Sequence, residues 1–286
     1  EHKLDAMLLA IEAIREPVQD VLQSAIVNQE SAGAASFAVQ AEARSALESV
    51  LSTLNNSFNG DYLFSGTSSN VRAVQRWDAT NPDTGLSPED VMASVLGTGP
   101  TDTASVAAMV AELDEVFFTG HSNANFDFEA TFYNGTPELD GLGNPNTRVS
   151  GRLDEGQQLV YGIQANDDGF RHAIKGLAML ATFDIQNITD EDAYTAWMEE
   201  AVQALSLGVQ GTLDESANLG FNQQLVETAK GRLEDLSIVQ VNQIATYENV
   251  DPYQVATEIQ GLETQLQASY SVSSRLSGLT ILDWYR

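Results

Sequence analysis

The chain holds three histidines, His2, His121 and His172, and no cysteine. Histidine is the usual zinc ligand and general base, but none of the three has another at i+3 or i+4. No zinc-binding helix can therefore be drawn, and each reads as a structural or solvent-facing residue. Carboxylates come in adjacent pairs: Glu89-Asp90, Asp114-Glu115, Asp154-Glu155, Asp167-Asp168, Glu199-Glu200 and Asp214-Glu215. Two carboxylates facing each other across a sugar cleft would make a glycosidase. With 41 Asp and Glu such pairs arise by chance, and most fall on polar helix faces or in turns. Asn166-Asp167-Asp168-Gly169 has the residue types of a calcium loop without its spacing, so a helix N-cap is the better reading and loose cation binding the lesser one. Gly97-Thr98-Gly99-Pro100 lacks the Gly-Lys-Ser/Thr of a phosphate loop, and Pro100 removes a backbone donor, so it reads as a turn. Asn55, Asn134 and Asn187 open Asn-x-Ser/Thr triplets, a motif short enough to recur by chance. The sequence thus assigns no catalytic, cofactor-binding or metal-binding residue.

The elements that would position any site are mostly helical. Over residues 1–58, Leu4, Leu8 and Ile11, then Val18 and Leu22, keep helical spacing, and Pro17 predicts a restart or kink. The pattern resumes at Leu47, Leu51, Leu54 and Phe58, and Asn59-Gly60 predicts the helix stop. Asp61 to Thr67 then reads as a short extended segment that docks and turns. Pro88 to Leu96 and Ser105 to Phe118 have helical spacing. Asn125 to Tyr133 alternates with period two, which predicts a strand with one wet face. Arg148 to Ile163 predicts strands or a hairpin. Phe170 to Phe183 is an amphipathic run, and Thr189 with Asp192 predicts a capped helix start. Val226, Ala229, Leu233 and Leu236 carry a stripe within a long helical stretch from Leu213 to Tyr247. Asp251-Pro252 opens a last helix with Val255, Ile259, Leu262 and Leu266 in register.

Charge divides the chain as sharply as periodicity does. The 41 acids against 13 Lys and Arg give a formal net charge of −28. That balance excludes a nucleic-acid partner, whose phosphates need cations, and an anionic membrane surface. No apolar run is long enough to span a bilayer. Between Trp77 and Thr147 there is no Lys or Arg, yet 12 carboxylates and five of the seven prolines lie there. Together these shifts predict a boundary: residues 1–76 and 166–286 form a discontinuous helical domain, and residues 77–165 an inserted, acidic one. The expected fold is mainly α, an elongated antiparallel bundle with an inserted mixed α/β domain. The stripes Leu47, Leu51, Leu54, Val226, Leu233 and Leu236 are expected to hold the subunit together. The terminal stripe differs. Burying each Leu or Ile stabilises by roughly 1.5–3 kcal/mol, so about six of them leave on the order of 10 kcal/mol for a partner to recover. The last segment is also serine-rich, a poor composition for a helix standing alone.

Two stretches resemble a known family. Asn59-Gly60-Asp61-Tyr62-Leu63-Phe64-Ser65-Gly66-Thr67 is similar to the Gly-x-Tyr-Leu-Phe-Ser-Gly-Thr segment of the hook–filament junction proteins (hook-associated protein 3) of the flagellin superfamily. The end, from Ala268-Ser269-Tyr270 through Arg275-Leu276-Ser277-Gly278-Leu279-Thr280-Ile281-Leu282 to Arg286, resembles the superfamily's C-terminus. More weakly, Phe132-Tyr133-Asn134-Gly135 followed by Arg148 is similar to an element of the family's middle domain. The resemblance implies a flagellin-like rod built from both chain ends with an outward domain between them. It implies a structural, non-enzymatic protein outside the cell, without cofactors, exported through the flagellar secretion apparatus. Its partners would be copies of itself in a ring, a neighbouring hook-associated protein, flagellin and an export chaperone. Leu262, Leu266, Tyr270, Leu276, Leu279 and Leu282 would make the tube contacts. Residues Tyr62, Leu63, Phe64, Ser65, Gly66 and Thr67 would pin the rod near the inserted domain. The family's own N-terminal helix is expected to precede Glu1, by roughly 40–50 residues if it matches the C-terminal helix in length. A filament flagellin is the nearest alternative, and an acidic carbohydrate-binding or hydrolytic surface protein a more distant one.

Overall fold

The computed structural model describes residues 2–30, 34–154, 157–248 and 251–278. The protein is mainly helical with little strand. It divides into two compact units, Glu1–Ala229 and Lys230–Arg286. None of the described helices is long and apolar enough to cross a membrane.

Unit 1 is organised around α1 (His2–Val27), α2 (Ala34–Leu54), α5 (Asp168–Ala181) and the first part of α6 (Glu191–Glu248). Helix α1 buries Leu4, Met7, Ile11, Ile14, Val18 and Val21, one stripe at three- and four-residue spacing. It runs antiparallel to α6. Asp5 accepts from Gln223 (2.7 Å), Arg15 reaches Ser216 (3.5 Å), and the Asn28 carbonyl accepts from the Tyr194 hydroxyl (3.0 Å). Helices α5 and α6 are also antiparallel, meeting at Gly169–Gly211, Ala173–Gly208 and Gly176–Leu205. A Cβ added to Gly211 would stand 2.4 Å from the Gly169 Cα, so the two backbones touch there and only glycine fits. At the other end of the pair the Trp197 indole, fully buried, donates to the Met179 carbonyl (3.2 Å). Helix α2 caps α5: Gln40 and Arg44 donate to the carbonyls of Phe183 and Ala181, groups left unpaired at a helix C-terminus.

The middle of the chain adds small elements. Strands β1 (Ser57–Phe58) and β2 (Asp61–Tyr62) form a hairpin. Then come α3 (Pro88–Leu96) and α4 (Thr103–Asp114), each opened by a capping box, from Ser87 with Asp90 and from Asp102 with Ser105. Strands β3 (Ser150–Asp154) and β4 (Gln157–Val160) pair antiparallel, Ser150 opposite Val160, in the hairpin expected over residues 148–163.

Four local expectations are corrected. Pro17 neither ends nor restarts α1, which runs through it. Burial of Ile14, Val18 and Val21 around it outweighs the lost hydrogen bond, a cost of about 3 kcal/mol. Asn59-Gly60 does not stop α2, which ends at Leu54. With φ of 54° and 93° the pair forms the two-residue turn between β1 and β2, so Phe58 is a strand residue. Residues 125–133 are not a strand: Ala124–Phe126 is a 3₁₀ turn and Phe128–Phe132 a π-helical turn. A spacing of four fits both periods, since Phe128 and Phe132 share a strand face and a helix face alike. Thr131, buried with them, decides for the helix, and its hydroxyl donates to the Asn125 carbonyl (2.6 Å). Finally, Asp190 rather than Thr189 caps α6, accepting from the Ala193 N–H (2.8 Å). The Asp251-Pro252 start of α7 (Pro252–Gly278) is as expected, with Asp251 accepting from the Tyr253 N–H (2.9 Å).

Candidate functional site

The segment Tyr62–Thr67 is a latch between distant parts of unit 1. The β1–β2 hairpin delivers it, and Asn55 fixes the approach by exchanging two hydrogen bonds with the backbone of Val74 (2.9 and 3.1 Å). Leu63, Phe64, Ser65 and Gly66 are buried. The Phe64 carbonyl accepts from Ala165 (2.9 Å) and the Ser65 carbonyl from Thr136 (3.0 Å). The Phe64 ring meets Phe170 of α5 edge-on at 5.7 Å. Gly66 has φ +68°, and a Cβ there would press on Gln164 at 2.7 Å and Thr136 at 3.0 Å. Only glycine suits that backbone and that space. Thr67 and Ser68 close the latch on the Thr136 hydroxyl (2.8 Å from Thr67 Oγ1; 3.1 Å from the Ser68 N–H). Residues 64–67 thus join the end of the β1–β2 hairpin to Thr136 and to residues 164–165.

Helix α5 fastens the acidic middle of the chain by two buried cations one turn apart, Arg171 and Lys175. Arg171 donates to the carbonyls of Asn166 and Phe117, pairs with Glu138 (3.3 Å) and Glu129 (3.6 Å), and lies over the Phe128 ring (5.7 Å). Lys175 pairs with Asp114. Arg148 donates to Asp167 (2.6 Å), whose other oxygen accepts from the Gln164 N–H (2.8 Å). The Asp167 carboxylate holds the Arg148 guanidinium above its ordinary pKa. Nearby on α6 the Glu215 carboxyl is pushed above the usual range, by burial first and by the Asp167 charge second. His172 moves the other way: burial and then Lys175 disfavour its charged form. Burial also raises the Tyr133 hydroxyl. So the 71 residues without a base are not wholly solvent-facing in their charge. Asp114, Glu129 and Glu138 meet cations contributed by α5.

The residues expected to carry assembly lie on α7, in unit 2. Leu262, Leu266, Tyr270 and Leu276 are 63%, 57%, 68% and 63% exposed. Leu279 and Leu282 lie outside the described residues. With Val255 and Ile259 the four described positions fall within an arc of about 120° on the helix, at 100° per residue. No described residue of unit 2 is buried. Leu233 and Leu236 do not serve the core as expected; both are more than half exposed, whereas Leu47, Leu51 and Leu54 are buried and Val226 packs against the core.

The residues first considered for chemistry have other duties. His121 pairs with Glu112 (3.4 Å) and stacks on Phe126, and His2 sits 3.8 Å from Asp5. His172 packs against Phe118 with the rings tilted (4.4 Å between centroids). Asp90 belongs to a capping box, and Asp114 and Asp167 hold cations. Asp167 is the N-cap residue of α5, but its side chain bonds Gln164 and Arg148 instead of the helix. At residues 97–100 the turn brings Gly99 against the Phe183 ring. No group of three or more His, Asp or Glu among the described residues could hold a metal ion. The buried pair Arg171 and Lys175 escaped the sequence reading, although two cations at i, i+4 in an otherwise apolar run was the available signal. Comparison with family models, with curated proteins and with solved structures finds no match.

Proposed function

We propose that the protein is a structural subunit of the bacterial flagellum that joins hook to filament, exported and assembled as a ring of identical copies through its terminal helices. The observation that carries this reading is α7, a 27-residue helix without a buried residue and with one continuous apolar stripe. An amphipathic helix gains most of its stability from packing, so such a stripe calls for a partner. The Tyr62–Thr67 resemblance supports the junction over the filament: in this reading the latch ties a rod of residues 1–76 and 166–286 to an outward domain of residues 77–165. Antiparallel packing of α6 with α1 and α5 suits such a rod. Export chaperone, flagellin and a second hook-associated protein are the partners proposed with it.

The test is immunogold labelling of flagella from cells producing the protein, alongside the Leu262→Asp/Leu266→Asp double variant. Gold confined to the hook–filament junction, and lost in the variant, is the expected result. Gold spread along the filament would identify a filament flagellin instead. Because each copy carries a net charge of −28, assembly is expected to strengthen with salt up to a few hundred millimolar, roughly where the screening length nears contact distance.

A further inference from the structure

Two Asn-Gly pairs occur in the chain, Asn59-Gly60 and Asn134-Gly135, and the fold treats them in opposite ways. Such a pair is chemically reactive: the glycine nitrogen can attack the asparagine side-chain carbonyl carbon, because glycine has no Cβ to block the approach. Asn59-Gly60 forms the exposed turn between β1 and β2. The Asn59 side chain has no hydrogen bond to any described residue, and a Cβ on Gly60 would meet nothing within 4 Å. The strands on either side are two residues each, so little holds the turn shut. Asn134 is pinned instead. Its amide donates to the Gln75 side chain (3.3 Å), its side-chain oxygen accepts from Asn81 (3.2 Å), and its backbone N–H donates to the Ala73 carbonyl (2.9 Å). Gly135 is packed so closely that a Cβ there would stand 2.6 Å from the Ser65 carbonyl oxygen.

We propose that Asn59 is a site of spontaneous deamidation, and that the product loosens the latch which the hairpin delivers. The Gly60 nitrogen gives up its proton to hydroxide and bonds to Asn59 Cγ. The Cγ–Nδ2 bond breaks, and ammonia leaves with a proton taken from water. The cyclic imide that results takes up a water molecule. Opening at Cγ gives aspartate; opening at the main-chain carbonyl gives isoaspartate, whose backbone runs through Cβ and Cγ. Nothing is oxidised or reduced: an amide and water become an acid and ammonia. Isoaspartate lengthens a two-residue turn, and the pairing of Ser57 with Tyr62 and Phe58 with Asp61 must shift to absorb it. Either product also sets a new carboxylate near Asp61, whose side chain accepts from Ser69 (2.9 Å). Tyr62 comes next in the chain, so the disturbance reaches the first residue of the latch. The site is on unit 1, apart from the stripe of α7, and does not rest on the flagellar reading.

The experiment is incubation of the full chain at mildly alkaline pH, with peptide mapping by mass spectrometry to follow both asparagines. Asn59 is expected to convert about tenfold or more faster than Asn134, which must await local opening, and the two rates should converge in denaturant. Aged protein should melt at a lower temperature than fresh protein. Asn59→Gly keeps a residue at ease with positive φ and removes the amide, so it should age without that loss. Equal rates in the folded chain, faster loss at Asn134, or a difference that persists in denaturant would overturn the assignment of the site. An unchanged midpoint in protein carrying isoaspartate at position 59, or an equal fall in Asn59→Gly, would overturn its effect on the latch.

Discussion

Units 1 and 2 spend the same residue types in opposite ways. Unit 1 buries its leucines, valines and aromatics in one continuous core and seals two helices backbone to backbone at Gly169 and Gly211. Unit 2 carries Leu233, Leu236, Ile259, Leu262, Leu266 and Leu276 and buries none of them. Helical periodicity is equally regular in both. What separates them is the presence of facing elements: α1, α2, α5 and α6 supply one another with apolar faces, while α7 has a stripe and nothing described to cover it. A stripe therefore reports that a helix wants a partner and leaves open whether the chain contains one.

Substitutions sharpen the contrast. Trp197→Ala should cost about 3–5 kcal/mol, because it empties a fully buried site and takes the indole donor from the Met179 carbonyl, whereas Leu262→Ala should change monomer stability by less than about 0.5 kcal/mol. Denaturant melts of the two variants check both figures, and a large effect at Leu262 would erase the distinction. Gly211→Ala should cost about 1–3 kcal/mol by forcing α5 and α6 apart, read as a lower thermal midpoint. Arg171→Ala should cost about 2 kcal/mol, since partly solvated Glu129 and Glu138 lose a charged donor. Proteolysis cutting first between residues 115 and 147 in that variant would show that α5 holds this region down.

The smallest effect concerns pH. His172 is depressed below its ordinary value of 6.5, by burial first and then by Lys175, against the opposing pull of Asp168 and Asp114. A depressed group contributes stability that is present above its unfolded pKa and lost as pH falls through the folded value. The protein's thermal midpoint should therefore drop on acidification below about pH 6.5, and drop less in His172→Asn. Equal acid sensitivity in the two proteins would remove His172 from the account.

Much of this was legible in residue spacing. The helices over 88–96 and 170–183, the hairpin over 148–163 and the Asp251-Pro252 start all follow from local rules that the fold obeys. The misses have physical causes. Pro17 is carried by the core around it, and the period-two reading of 125–133 failed because Phe128 and Phe132 satisfy both periods. Asn59-Gly60 was open to reading as a helix stop or a hairpin turn, and the turn won because Ser57 and Phe58 pair with Asp61 and Tyr62. The latch residues were visible as a motif, but their partners Thr136, Gln164 and Ala165 were not. Contacts between residues so far apart in the chain leave no periodic trace.

Hydrogen exchange on the dilute, unassembled chain tests the central claim most directly. Amides of α7 should exchange about a thousandfold or more faster than those of α5, because α7 has no burial to hold it closed, and they should slow once the protein is assembled. Protection of residues 252–278 equal to that of α5 in the dilute chain would mean the stripe is already covered, and would contradict its role as an assembly face.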